Sequence, residues 1–113
     1  MEEQIKIIKA LSDPSRLRIF KLLYIKPLCV CEIESIIKIN QSNASRHLQR
    51  LKDAGLVRYE KQGQFVIHTV DKETLQNHRF LEHLIAETKT IPQIKEDISL
   101  LEKIPDMKCN SDK

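Results

Sequence analysis

Cys29, Cys31 and Cys109 are the side chains of this sequence with the most chemistry of their own. Their odd number, behind a start (Met1-Glu2-Glu3-Gln4) with no secretory apolar stretch, argues against a disulfide framework. Reduced thiols remain, either inert or ligating. A thiolate is a soft ligand and selects soft ions. Cys29 and Cys31 flank Val30 at the start of a short expected helix, where the macrodipole favours a thiolate. The plain alternative is that they are two small buried hydrophobes. Cys109 lies in a polar tail, as a third ligand or an idle thiol.

A second constellation is polar and basic. From Ser42 to Gln62 the chain carries Arg46, Arg50, Lys52, Arg58 and Lys61 against Asp53 and Glu60, a net charge equal to the +3 of all 113 residues. Local positive charge of this kind suits phosphate, although a solvated helix face has the same composition. Among the histidines and acids, His83 and Glu87 are spaced to share one face of a helix, as an exposed face also would be. Asp71, Glu73 and His78 lie nearby without metal-ligand spacing, His47 reads as a packing or hydrogen-bonding residue, and His68 is unremarkable.

The elements that must hold these groups follow from periodicity. Ile5, Ile8 and Leu11 predict a first helix over Glu3–Leu11. Asp13-Pro14 predicts the start of a second, which stops before Pro27 with Leu17, Phe20, Leu23 and Tyr24 as its stripe. A third covers Val30–Lys38. After a turn at Ile39–Gln41, Ser42 caps a fourth that ends at Gly55, with Ala44, Leu48 and Leu51 inward. The period then changes to alternation over Val57–Val70, with Gln62-Gly63-Gln64 as the turn. A fifth helix is expected over Lys72–Thr88, with Leu81, Leu84 and Ile85 inward. A last one runs from Pro92 to Lys103, with a seam of Ile91, Ile94, Ile98 and Leu101 that needs a partner in this or another subunit.

The fold class is therefore mainly α with a β-hairpin: a winged helix-turn-helix, α-α-α-α-β-β-α, plus an additional C-terminal helix. Residues 1–90 form its DNA-binding and dimerisation domain, and 91–113 the last helix and the tail. A helix held proud of such a motif reads base edges in the major groove. Candidate contacts are Gln41, Ser42, Asn43, Ser45, Arg46, Gln49 and Arg50 on that helix and Arg58, Lys61, Gln62 and Gln64 on the wing.

Four blocks carry a family resemblance: Ala10-Leu11-Ser12-Asp13-Pro14-Ser15-Arg16-Leu17-Arg18-Ile19, Leu28-Cys29-Val30-Cys31-Glu32-Ile33, Gln41-Ser42-Asn43-Ala44-Ser45-Arg46-His47-Leu48 and Leu51-Lys52-Asp53-Ala54-Gly55-Leu56-Val57. In order and spacing they resemble the ArsR/SmtB family of winged-helix repressors. The resemblance spans roughly Ile5 to Leu84. It implies a homodimer, joined through the first and fifth helices, on two-fold double-stranded operator DNA, released when an ion binds. Cys29-Val30-Cys31 looks like the ion site of the arsenic-responsive branch, which implies arsenite or antimonite as inducer, with zinc or cadmium as further options and no organic cofactor. Glu34 stands where that branch can carry a third cysteine, so Cys109 is the remaining candidate. The zinc-type site of other members is not matched, because Ala86 falls three residues after His83.

Two other readings stay open: a redox or persulfide sensor using the same cysteines, and a protein-interaction module without a DNA role. An enzyme is not expected, since no phosphate-cradling glycine loop or nucleophile-and-base arrangement occurs. Apolar residues at 41% and charged at 31%, with no long apolar run, fit a cytoplasmic globular protein with no membrane partner.

Overall fold

A computed structural model describes residues 1–104; Cys109 and the rest of the tail lie outside the described residues. The elements run α1 (Glu2–Leu11), α2 (Pro14–Ile25), β1 (Leu28–Cys29), α3 (Val30–Ile37), α4 (Gln41–Asp53), β2 (Val57–Gln62), β3 (Phe65–Val70), α5 (Lys72–Asn77), α6 (Phe80–Thr88) and α7 (Pro92–Glu102). The fold is a winged helix-turn-helix with an added C-terminal helix.

Local chemistry sets most boundaries. The Asp13 carboxylate accepts from Arg16 N at 3.1 Å, and Pro14 opens α2. Lys26, just before Pro27, is already extended. Lys38 ends α3 in the left-handed region at φ 63°. At the end of α4, Gly55 N donates to Lys52 O and Leu56 N to Leu51 O, with Gly55 at φ +79°. That paired pattern is the Schellman motif, which satisfies carbonyls left over at a helix end.

The core joins Ile7 and Leu11 of α1, Ile19, Phe20 and Leu22 of α2, Ile33 and Ile36 of α3, and Ala44, Leu48 and Leu51 of α4. The inward face of α1 differs from the expected stripe. Ile7, Ala10 and Leu11 are buried, whereas Ile5 and Ile8 are 44% and 51% exposed. Either set has helical spacing, so only packing chooses between them.

The cap of α4 also differs. Asn40, not Ser42, is the N-cap: its Oδ1 accepts from Asn43 N at 2.8 Å, and Ser42 lies exposed in the first turn. Both residue types cap well, and the start of the helix decides.

The expected fifth helix is two helices. His78 leaves helical geometry at φ −130°, ψ 81° and separates α5 from α6. On one continuous helix Leu75 and Leu81 would point about 120° apart, at ~100° per residue. The break lets both reach the core. His78 is buried in that break, edge-on to the Phe80 ring, with Nε2 3.2 Å from Glu3 Oε2 but not aligned for a hydrogen bond.

α7 packs on α2 and α3 of its own chain. Ile94 and Leu101 of the expected seam are buried there, Ile98 partly, and Ile91 is exposed. Between them Asp97 is buried and paired with Arg18 of α2.

The sheet is antiparallel in the order β1-β3-β2. The two-residue β1 was not expected, since nothing in Leu28-Cys29 alternates. It places Leu28 opposite His68 and Cys29 opposite Ile67. β2 and β3 pair from Val57↔Val70 to Gln62↔Phe65, so the turn is only Gly63-Gln64, with Gly63 at φ +65°.

Candidate nucleic-acid interface and thiol pair

Two elements frame the candidate interface. α4 turns Ala44, Leu48 and Leu51 into the core and leaves Gln41, Ser42, Ser45, Arg46, Gln49 and Arg50 exposed, with Asn43 partly so. The wing carries Arg58 at its root, opposite Thr69, and Lys61, Gln62 and Gln64 toward its tip, all exposed. Every candidate contact thus lies on α4 or on the wing beside it.

Part of this face is held in place. Arg46 Nη2 donates to Asn43 Oδ1 at 2.7 Å, and Gln49 Nε2 donates to Asp53 Oδ1 at 2.8 Å. Both bonds run along the helix and restrain side chains that sequence reasoning left loose. Lys52 reaches across to the wing, its Nζ 4.2 Å from the centre of the Tyr59 ring. This cation–π contact ties helix to hairpin, and the sequence offered no signal that Lys52 and Tyr59 meet. Behind it lies a groove of about 290 Å³ between α4 and the wing, floored by Val30, Leu48, Val57 and Val66 and closed by His68. Burial pushes the His68 imidazole below its ordinary range, and the Lys52 cation adds to the effect.

The opposite flank of α4 faces α1 and α2. Arg16 Nε donates to Ala10 O at 2.6 Å, and its Nη1 lies 3.4 Å from His47 Nδ1. His47 is therefore a packing and hydrogen-bonding residue between α4 and α2. Burial lowers its pKa; Asp13 acts the other way, and Arg16, Arg46 and Arg50 lower it further.

The thiol pair sits at the entry to the helix-turn-helix. Cys29 is the N-cap of α3 and only 5% exposed, while Cys31 in the first turn is partly exposed. Their sulfurs are 3.6 Å apart. Glu32 belongs to the same cluster. Its Oε1 accepts from Cys29 N at 3.0 Å and from Cys29 Sγ at 3.4 Å. Sequence reasoning passed over Glu32, although an acid three residues after a helix cap is a recognisable signal. Glu34 is partly exposed, and Cys109 lies outside the described residues.

The donor geometry suits one soft ion. Two ~2.3 Å metal–sulfur bonds at a tetrahedral angle would put the sulfurs about 3.8 Å apart, close to the separation present. Among the described residues no group of three His, Cys, Asp or Glu side chains is placed to hold an ion. His83 and Glu87 are exposed on α6, and the Asp71 side chain caps α5 by accepting from Thr74 N. No helix among the described residues is long and apolar enough to cross a membrane.

Helix-turn-helix, wing and flanking helices define a DNA-binding class of fold. Comparison with known proteins agrees. Residues 13–59 match the model of the bacterial regulatory protein, arsR family. The chain is 41% identical over 69 residues to a cadmium resistance transcriptional regulatory protein CadC homolog of Staphylococcus aureus, covering 60% of this chain and 57% of that one. It is 36% identical over 78 residues to an arsenical resistance operon repressor of Staphylococcus xylosus, covering 69% of each. Among solved structures it resembles the homodimeric winged helix-turn-helix DNA-binding domain Mb0332 of Mycobacterium bovis, with TM-score 0.66 and 28% identity over 77% of this chain and 81% of that one. This chain belongs to the ArsR family. It spans less than three fifths of the length of the cadmium-resistance relative.

Proposed function

We propose that this chain is a homodimeric transcriptional repressor that leaves its operator when a soft ion binds Cys29 and Cys31. The observation that carries the reading is the double role of Cys29. It caps α3 of the helix-turn-helix and is also a strand partner of Ile67 in the wing. A ligand bridging the two sulfurs is thereby tied to the helix-turn-helix and to the wing at once. If the resulting geometry suits the DNA-free form, ion and DNA oppose each other through one coupling energy, typically ~1–3 kcal/mol.

Arsenite or antimonite is the inducer best suited to thiol donors. The S. xylosus relative is named for arsenic resistance and the S. aureus relative for cadmium, so cadmium and zinc belong in the same test. The ion would be held by Cys29 and Cys31, with Cys109 as the candidate third donor. The homodimeric M. bovis neighbour and the exposed Ile5 and Ile8 of α1 support a dimer. Such a dimer would set its recognition helices ~34 Å apart along the duplex. The working protein is a cytoplasmic regulator rather than a catalyst. Residues 1–90 carry DNA binding and dimerisation, and 91–113 add the last helix and the tail.

The test is fluorescence anisotropy on a duplex enriched from a random pool by the chain itself, with and without arsenite, antimonite, cadmium or zinc under reducing conditions. Release at micromolar ion that disappears in Cys29→Ser and Cys31→Ser supports the reading. Unchanged affinity with every ion, thiols reduced, refutes it. The sulfur contact of 3.6 Å also favours a redox or persulfide variant of the same switch. Release by polysulfide but not by ions would select that variant.

A further inference from the structure

A helix lying in the major groove has a sugar-phosphate wall on either side. The groove is ≈ 12 Å wide and a helix with its side chains is ≈ 10–12 Å across, so both walls come close. On one side of α4 the wing supplies Arg58 and Lys61. The other side has no wing.

It has instead a pocket of about 260 Å³ where α1, α2 and α4 meet, lined by Lys6, Lys9, Arg16, Arg50 and Asp53. Four cations share this lining with one carboxylate, Asp53, which also accepts from Gln49 at 2.8 Å. Arg16 is held in position by Ala10 O and His47 rather than by an acid. Among the described residues none of the four cations is ion-paired. Lys6, Lys9 and Arg50 are exposed. Four cations against one carboxylate leave a net positive charge, which raises the local positive potential. Folding alone gains nothing from that arrangement.

We infer that Lys6 and Lys9 of α1, with Arg16 and Arg50, form a phosphate site that grips the DNA backbone strand on the side of the recognition helix away from the wing. The inference rests on the DNA-binding reading above and adds α1 to the interface. A phosphate there meets a guanidinium already oriented by two contacts, with mobile ammonium groups completing the shell. Because it touches no base edge, the site sets affinity and register without choosing sequence.

The test uses the full chain and the enriched duplex. Binding is measured between about 50 and 200 mM salt for wild type and for Lys6→Gln/Lys9→Gln. Each lost phosphate contact lowers the salt slope by about 0.9. The double variant should therefore flatten the slope by about 1.8 per subunit, with an unchanged melting temperature and an unchanged ranking of base-substituted duplexes. Lys9→Glu should weaken binding further than Lys9→Gln. An unchanged slope in a folded double variant overturns the inference. So does saturable binding of inorganic phosphate at Lys6 and Lys9, seen by NMR, together with an unchanged slope; that result would make the pocket a site for a free anion. A wild-type chain with no salt-dependent DNA binding overturns the repressor reading itself, a separate outcome.

Discussion

Arg18 and Asp97 form a two-pronged ion pair, Nε to Oδ2 at 2.8 Å and Nη2 to Oδ1 at 3.0 Å, that fastens α7 to α2. Asp97 is 1% exposed and Arg18 21%. The carboxylate is therefore the partner that suffers more when left alone. Arg18→Ala should destabilise the chain by roughly 3 kcal/mol, within the usual range for breaking a buried pair. Asp97→Ala should cost less, about 1–2 kcal/mol, because the guanidinium can turn toward water. Urea denaturation of the two variants checks the order; equal losses would show that packing, not charge, dominates.

Asn40 and Ser42 offer a sharper comparison. Asn40→Ala removes the acceptor for Asn43 N and should cost about 1 kcal/mol. Ser42→Ala should leave stability within ~0.5 kcal/mol while weakening DNA binding if its hydroxyl meets phosphate. Thermal melts paired with binding titrations separate the two effects.

These two cases also mark what could be read from residue order. Asp13-Pro14, Pro27, Gly55 and Gly63 are punctuation with a single physical meaning, and the elements end where they say. Which face of α4 stays exposed was legible for the same reason, since Ala44, Leu48 and Leu51 leave one way to turn the helix. Choices among equals were not legible. Ile7 against Ile8, or Asn40 against Ser42, differ only in their tertiary surroundings. The break at His78 satisfies the core rather than any local rule. The pairing of Asp97 with Arg18, and the meeting of α1 with α4, join residues far apart in the chain. No local pattern encodes them.

Acid should loosen the junction of α2 and α4. The folded-state pKa of His47 is lowered by burial and, secondarily, by Arg16, Arg46 and Arg50, against the pull of Asp13. A lowered imidazole binds fewer protons folded than unfolded just below its ordinary value of about 6.5. Its contribution is therefore complete above that value and is lost as pH falls toward the folded value. His68, lowered by burial and Lys52, acts with the same sign. The melting temperature should fall between pH 7.5 and pH 5.5, and His47→Gln should remove part of that slope. A variant with the wild-type slope would assign the effect elsewhere.

Lys38 occupies a left-handed conformation at φ 63°, ψ 49° between α3 and α4. A side chain there costs roughly 1–2 kcal/mol, whereas glycine is free of that cost but loses more chain entropy. Lys38→Gly should stabilise the fold by about 0.5–1 kcal/mol in denaturant titrations. Lys38→Val should destabilise it by more than 1 kcal/mol, since a branched side chain fits that conformation worst.

The short strand β1 makes the regulator harder to take apart than its modular appearance implies. Cys29 shares a hydrogen-bonded ladder with Ile67, which in turn faces Glu60 across the hairpin. Chimeras that import a relative's segment in place of residues 28–31 onto this wing would inherit a mismatched seam. The unit that can be exchanged is the thiol segment together with β3, so the sequences of the two should travel as one.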